Sequence, residues 1–456
     1  MAKKENRHAE HFDKLSASLV SASKNIEAPY ELPEGWEWCK QNEVCRLTDG
    51  EKKTDVSYPY LEVKYLRGNK EKEFVTSGKF IKSGTKVILV DGENSGEVFT
   101  VPEDGFMGST FKALSIQNVD ENYLQFFIQT KKDLYRNNKK GSAIPHLNKE
   151  LFFNMPFSLP PTLAEQQRIV NRIETMFAKL DEAKEKAQNV VDSFETRKAA
   201  ILHKAFSGEL TVNWRKENVV EKNEELESIY SFVQSLPKKD ITNIVEFQKQ
   251  ASDYILSDGT LWKKCFIGAI GIVTNGSTPS RKEPAFWNGD IPWVSSGEVS
   301  NNIIEATNER ITEEGYNNSS VKKLPIGTVL IAMIGEGKTR GQTSVLNIEA
   351  TTNQNIAAIV INHGHVEPKF LWYWLQKEYK NNRTAGNGSG PQALNCQRVR
   401  ELPFILPTLT EQQEIVRILD SVLEKETCAK EAAQTVLEQI ALLKKSILAR
   451  AFRGEL

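Results

Sequence analysis

The stretch AMIGEGKT (332–339) comes after an apolar run and ends in Gly337, Lys338 and Thr339. Those residue types form a P-loop, where backbone N–H groups and a lysine cradle phosphates and a hydroxyl holds magnesium. Here the first glycine of that pattern is alanine, and a P-loop must open a helix whose N-terminus faces the phosphates. The chain continues instead as TRGQTSVLNIEATTN (339–353), with Gly341 at once and then Thr, Ser and Val, which has the pattern of a turn and a strand. No apolar strand ending in a magnesium-holding Asp comes after it. The expectation is a strand-to-strand turn that displays Lys338, Arg340 and Gln342, with glycines that let a phosphate approach the backbone.

Other chemistry is equally hard to assemble. No Asn/Asp-Pro-Pro-aromatic motif of an amino-methyltransferase occurs, no G-x-G-x-x-G turn follows a strand, and no Asp…Glu-x-Lys cluster suggests a nuclease. His146 has no partner nucleophile or carboxylate that can be placed beside it. His363 and His365 flank Gly364 in an expected loop without a third ligand. The five cysteines are scattered, with no C-x-x-C pair, and read as reduced and mostly buried thiols. The sequence therefore assigns no catalytic, cofactor-binding or metal-ligating residue to this chain.

The loops carry the chemistry of recognition. TNGSTPSRKEPAFWNGDIPWVSSGEV (274–299) presents Ser277, Thr278, Arg281, Lys282, Ser295 and Ser296 beside Trp287 and Trp293, and TTNQN (351–355) presents Asn353 and Gln354. Earlier in the chain TDGEKKTD (48–55), VKYLRGNKEK (63–72), DGENSGE (91–97) and RNNKKGSA (136–143) offer Lys52, Lys53, Arg67, Asn94, Asn138 and Lys139. Arginine and lysine suit guanine and phosphates, and asparagine and glutamine suit adenine. One such loop is ordinarily a solvated turn; several of them in a chain without an active site point towards DNA.

Composition narrows the class. With 456 residues the chain can form two or three domains with proper cores. Its 59 basic and 60 acidic residues nearly cancel, so any basic surface is local. No run is long and apolar enough to cross a membrane, and the N-terminus lacks an apolar signal region, so a cytoplasmic protein without a membrane partner is expected.

The elements that position these loops come from a duplication. PTLAEQQRIV…AILHKAFSGEL (161–210) recurs as PTLTEQQEIV…SILARAFRGEL (407–456); an offset of 246 aligns them without a gap, with about 23 of 50 pairs identical. Weaker similarity extends upstream to LPEGWEW (32–38) against LSDGTLW (256–262). Apolar residues in each copy step by four and three: Ile169, Ile173, Met176, Leu180, Ala183, Ala187, Val190, Phe194 and Ile201, then Ile415, Leu419, Val422, Ala429, Ala433, Val436, Ile440, Leu443 and Ile447. Arg197 alone interrupts the first seam and Glu426 the second. This is a coiled-coil pattern. Thr162 with Glu165, and Thr408 with Glu411, read as capping boxes, and Gly208 and Gly454 as C-terminal stops. Two helices of matched length are expected to pair antiparallel with each other, placing the globular parts at opposite ends; the alternative is that each seam pairs with a second copy of the chain.

The expected organisation is an N-terminal arm (1–31), a mixed α/β part (32–160), a long helix (161–210), a charged connector (211–255) with an amphipathic stretch near Ile229 to Leu236, a second mixed α/β part (256–406) and a second long helix (407–456). The fold class is α+β in a tandem pseudo-repeat. TKVILV (85–90) and GTVLIAMI (327–334) read as buried strands, and YLQFFIQTKK (123–132) and FLWYWLQKE (370–378) as short amphipathic helices.

The paired LP(P)TLxEQQxIV…AFxGEL regions, the element SGELTVNWR after the first, and GSTPSRKEPAFWNGDIPWVSSGEV resemble the specificity subunits of type I restriction-modification enzymes. The resemblance covers nearly the whole chain. It implies two target-recognition domains, each reading half of a bipartite double-stranded DNA site, with the paired helices fixing the gap. It implies two methyltransferase subunits bringing S-adenosylmethionine and two motor-nuclease subunits bringing ATP and Mg, while this chain is not an enzyme. TVNWR (211–215) occurs once, so residues 1–31 are expected near the end of the second helix if they replace it. The rival reading is a coiled-coil scaffold that binds proteins through two diverged heads.

Overall fold

The computed structural model describes residues 28–456 except 142–144, 219–222, 234–243, 336, 362 and 385–392. The chain forms two compact units, Met1–Asn189 with Ala433–Leu456, and Val190–Ala432.

In the first unit the strand Lys86–Leu89 is buried throughout, as its apolar run requires. It pairs antiparallel with Val98–Thr100 and Phe111–Ile116, and Cys45–Thr48 completes a four-stranded sheet. Glu51–Leu61, Phe74–Ile81 and Gly105–Met107 close into a small barrel. The helix Glu121–Thr130 begins where the Asp120 carboxylate accepts hydrogen bonds from the N–H groups of Asn122 and Tyr123, and it buries Tyr123, Leu124, Phe127 and Ile128.

The second unit repeats this plan. Its five-stranded sheet runs Ile272–Asn275, Ile356–Val360, Val329–Ala332, Thr343–Leu346, Asn302–Ile304, and its helix Pro368–Lys377 buries Phe370, Leu371, Trp374 and Leu375. A further sheet joins Glu309–Ile311, Trp287–Val294 and Thr351–Thr352.

The long helices are Leu163–Phe206 and Leu409–Ala451, 44 and 43 residues, each about 65 Å long. Within each unit the two stretches run antiparallel. Lys444 Nζ donates to Asp181 Oδ1 at 2.6 Å in the first unit, and Arg197 Nε donates to Glu426 Oε2 at 2.7 Å in the second. Ile169, Ile173, Phe194, Ile415, Leu419 and Ile440 are buried, and Leu180, Val190 and Ile447 half-buried. Val436 and Leu443 depart from the seam pattern at 38% and 49% exposure, because two helices alone cannot enclose every position of their apolar stripes.

The repeated motifs fasten each helix to a globular core. Phe452 packs edge-on against Phe127 and at a tilt against Tyr123, and its counterpart Phe206 packs against Phe370 and Trp374. Gln166 is buried and its Oε1 accepts from the Asp120 N–H at 2.8 Å; Gln412 likewise accepts from the Glu367 N–H at 2.9 Å. The EQQ motif thus caps the globular helices. The starts of both long helices correct the capping-box reading. Thr162 Oγ1 does accept from the Glu165 N–H at 3.2 Å, but the Glu165 side chain pairs with Arg168. Glu411 is fully buried and spends both oxygens elsewhere, because Arg215 offers a stronger, charged partner.

Arg215, from TVNWR, lies in the helix Val212–Glu217 with its side chain 4% exposed. It donates to Glu411 Oε1 at 2.6 Å, Asp258 Oδ2 at 2.6 Å, the Gly208 carbonyl at 2.9 Å and Thr211 Oγ1 at 2.8 Å. Trp262 Nε1 donates to Glu411 Oε2 at 2.9 Å. The connector also contains the helix Glu225–Val233 with Ile229 buried, while the rest of the expected amphipathic stretch lies outside the described residues. Of the N-terminal arm, Tyr30 donates to the Phe452 carbonyl at 2.9 Å, which puts residue 30 at the end of the second long helix; residues 1–27 lie outside the described residues.

Candidate nucleic-acid interface

In the second unit the expected recognition residues gather at strand ends. The Ser277 N–H donates to the Thr352 carbonyl at 2.9 Å, and Thr278 Oγ1 donates to Gln354 Oε1 at 2.6 Å. Asn353 donates its N–H to the Val294 carbonyl at 3.1 Å, beside Ser295 and Ser296. Gly276 is required here, since a Cβ would stand 1.8 Å from the Thr352 oxygen. The Met333 N–H donates to the Asn355 carbonyl at 2.9 Å, which brings in the turn carrying Lys338, Arg340 and Gln342. That turn joins the antiparallel strands Val329–Ala332 and Thr343–Leu346 and opens no helix, so the phosphate cradle of a P-loop does not form. Tyr379 Oη braces it by donating to the Lys338 carbonyl at 2.7 Å.

Charge on this surface is partly committed. Arg281 is held by Glu309 and lies 3.7 Å over the Trp287 ring, with Trp293 at 5.1 Å. The hydrogen bond from Arg281 lowers the Glu309 carboxyl below its ordinary range. Ser295 is likewise engaged, its N–H donating to Glu298 Oε2 at 2.8 Å.

In the first unit two expected loops meet. The Gly92 N–H donates to the Pro145 carbonyl at 2.7 Å, and His146 Nδ1 lies 2.7 Å from Asp91 Oδ1. Lys139 bridges to Glu93 at 2.5 Å and Arg67 to Glu97, so Arg67, Asn94, Asn138 and Lys139 share one region. His146 thus has the carboxylate neighbour that sequence alone did not place. Lys52 and Lys53 lie apart, on the barrel strand Glu51–Leu61, where Lys53 sits 3.7 Å over Phe80 and 3.4 Å from Glu51. Nearby, hydrogen bonds from Lys112 and Lys79 hold the Asp49 carboxyl at about 2.

Among the described residues, Lys52, Lys282, Lys338 and Arg340 have no carboxylate at ion-pair distance, and Lys52, Lys282 and Lys338 are exposed. A cation without a competing carboxylate is the better group to neutralise a phosphate. The described residues hold no cluster of His, Cys, Asp and Glu able to bind a metal ion, and no helix long and apolar enough to cross a membrane. What the arrangement offers is a display of amides, hydroxyls and cations in each repeat, carried on strand ends, turns and helix ends.

The model of the type I restriction modification DNA specificity domain matches this chain twice, over residues 33–192 and 260–439. The chain belongs to that family. Each match takes in one globular part and much of the long helix behind it, so the specificity domain is the repeated unit.

The EcoBI specificity subunit of Escherichia coli is 22% identical over 464 residues, 98% of this chain and 91% of that protein. The EcoR124I/EcoR124II specificity subunit of Escherichia coli and the MjaVIII specificity subunit of Methanocaldococcus jannaschii are each 29% identical, over 163 and 206 residues. Those two alignments take in 35% and 40% of this chain, and 40% and 48% of the relatives, so this chain spans less than half their length. Among solved structures, the HsdS subunit from Thermoanaerobacter tengcongensis shares the fold with a TM-score of 0.56, and a type I R-M system chain with 0.65. Both are 18% identical, and each comparison covers 94% of this chain and 100% of the other.

Several residues of this specificity-domain scaffold were not singled out by sequence reasoning. Gln166 and Gln412 sit in the identical EQQ of both repeats, and that identity amid diverged surroundings was the available signal. Arg215 lay in a quoted motif, but its partners Asp258 and Glu411 are distant in sequence and nothing in the spacing announces them.

Proposed function

We propose that this chain is the DNA-reading subunit of a type I restriction-modification complex. Each specificity domain reads one half of a bipartite double-stranded target, and the paired helices set the unspecified gap between the halves. The observation that carries this reading is the double match of the DNA specificity domain, one match per repeat. Two similar scaffolds with different loops suit one task performed on two different sequences.

In this reading Ser277, Thr278, Lys282, Lys338, Arg340, Gln342, Asn353 and Gln354 contact one half-site. Arg67, Asn94, Asn138 and Lys139 contact the other, and Lys52 and Lys53 contact flanking phosphate. Arg281, Ser295 and Ser296 contact the same half-site as Ser277, Arg281 and Ser295 from loops that Glu309 and Glu298 brace. The chain itself carries no cofactor and catalyses nothing. Two methyltransferase subunits dock on it with S-adenosylmethionine, and two motor-nuclease subunits supply ATP- and Mg-dependent cleavage, in the cytoplasm. A helix of about 65 Å limits the gap to fewer than about 19 base pairs at roughly 3.4 Å each.

The test is co-expression with the methyltransferase subunit encoded beside it, followed by mapping of N6-methyladenine across host DNA. A single split motif with a constant gap is the expected result. Co-purification with no methylation motif, or no association at all, counts against it, and the second outcome favours a protein-binding scaffold.

A further inference from the structure

The two residues that interrupt the apolar seams face each other. Arg197 Nε donates to Glu426 Oε2 at 2.7 Å, Arg197 Nη2 donates to the Val190 carbonyl at 3.3 Å, and Nη1 bonds Ser193 Oγ. The two side chains are 34% and 25% exposed, so both are largely withdrawn from water. At the offset that aligns the two long helices, Arg197 corresponds to Leu443 and Glu426 to Leu180. Those leucines adjoin Lys444 and Asp181, which form the cross-helix bridge of the other unit. One level of the helix pair is therefore an ion pair, and the level that corresponds to it at this offset carries a leucine on each helix, Leu180 and Leu443.

Helices this similar have three ways to pair: first with second, first with the first of another copy, and second with the second of another copy. Antiparallel geometry fixes which residues would meet in each. In the first-with-first pairing Arg197 faces Leu180, twice over. In the second-with-second pairing Glu426 faces Leu443, twice over. Only the first-with-second pairing gives every charge a counter-ion and every leucine a leucine. The other bridge does not discriminate, because Lys198 is the counterpart of Lys444 and Asp181 meets a lysine in either pairing that includes the first helix. Leu443 is 49% exposed, so the second-with-second mismatch is the milder of the two and Arg197 against Leu180 is the stronger.

We propose that Arg197 and Glu426 are partner-selecting residues. They direct the first helix to the second helix of the same chain and disfavour pairing with the same helix of another copy. The attractive part is small, as for an ion pair that water still reaches. Selection comes from the withdrawn charge left facing leucine in the wrong partner, as polar seam residues specify coiled-coil pairing. The consequence rests on the reading under Proposed function: like-with-like pairing would join two copies of the same recognition surface, so this pair keeps the target asymmetric.

The test uses the full chain without DNA. Wild type, R197L/E426L and R197E/E426R are unfolded in urea, refolded over a range of concentrations and weighed by native mass spectrometry. Wild type and the charge-swapped variant should stay monomeric. R197L/E426L should give at least about tenfold more dimer at equal concentration, with lysine cross-links between like helices in a mixture of isotopically light and heavy copies. If refolding yields aggregate, two differently tagged copies are co-expressed and their mutual capture is scored instead. R197L/E426L as monomeric as wild type, or R197E/E426R as dimeric as R197L/E426L, would overturn the proposal. Since no target DNA enters the experiment, failure of the DNA-reading proposal leaves this result unaffected, and the methylation map tests that proposal separately.

Discussion

Replacing Arg215 by alanine tests the account of how the second unit is held together. The guanidinium is nearly sealed, and Glu411 beneath it is fully buried. Truncation removes the cation and leaves the Glu411 carboxylate, among the described residues, with the hydroxyl of Thr211 and the indole N–H of Trp262 as partners. Breaking a buried pair in this one-sided way costs about 3–5 kcal/mol. With a urea dependence of roughly 2–3 kcal/mol per molar for a unit of this size, the unfolding midpoint should fall by about 1–2.5 M. Urea is the appropriate denaturant, since guanidinium chloride screens the ions being tested. Lysine at position 215 should recover only part of the loss, because a single ammonium cannot span Glu411, Asp258, Gly208 and Thr211 as a fork of five N–H donors does. R215A should also leave hydrogen exchange in the helix Glu121–Thr130 of the first unit unchanged. A midpoint within about 0.3 M of wild type would refute the claim that this cluster staples the second unit.

Four further outcomes are expected. Q412A removes the buried amide that accepts from the half-buried Glu367 N–H and should cost about 1–3 kcal/mol in urea unfolding, with Q166A acting likewise on the first unit. Burial raises the Asp258 carboxyl, but hydrogen bonds from Arg215 and Thr260 outweigh burial and hold it at about 2 against an ordinary 3.8. Its contribution is therefore complete above pH about 4 and lost as pH falls towards about 2; D258N should flatten that part of the stability profile. K338A should weaken DNA binding modestly, reduce the salt slope by about one ion and abolish no ATPase of this chain's own. Inserting seven residues after Ala187 and after Ala433 lengthens the helix pair by about 10 Å, so the methylated motif should gain roughly three unspecified base pairs with both half-sites unchanged.

Much of the scaffold is legible in the sequence because a helix writes its packing as a period. The apolar steps of the two long helices, the glycines that end them and the repeat itself follow from local chemistry. Gly208 and Gly454 adopt φ of 80° and 75°, where a side chain would be strained. A capping motif is local, and the stronger claim on the Glu411 carboxylate comes from Arg215, remote in the chain. Recognition loops are legible only as types. That Thr278 meets Gln354, or that the turn of Lys338 lies against Asn355, is decided by strand pairing between segments distant in sequence. Their periods of two do not state their register.

The duplication explains why the role of the chain is readable and its target is not. Residues shared by the repeats are those that every copy needs mechanically: the Gln166 and Gln412 amides, the Phe206 and Phe452 rings, the seam. They recur because a helix must meet a globular core in the same way twice. Residues that differ are of two kinds. In the proposed function, loop residues such as Lys338 and Asn94 answer to a DNA sequence, a constraint absent from the chain itself. Arg197 and Glu426 differ for the opposite reason: each is intelligible only beside the other, as the place where two helices of one repeat stopped being interchangeable. A repeat that must pair with its twin, and not with itself, has to break its own symmetry somewhere, and a complementary pair of charges at one level of the seam does so with two substitutions.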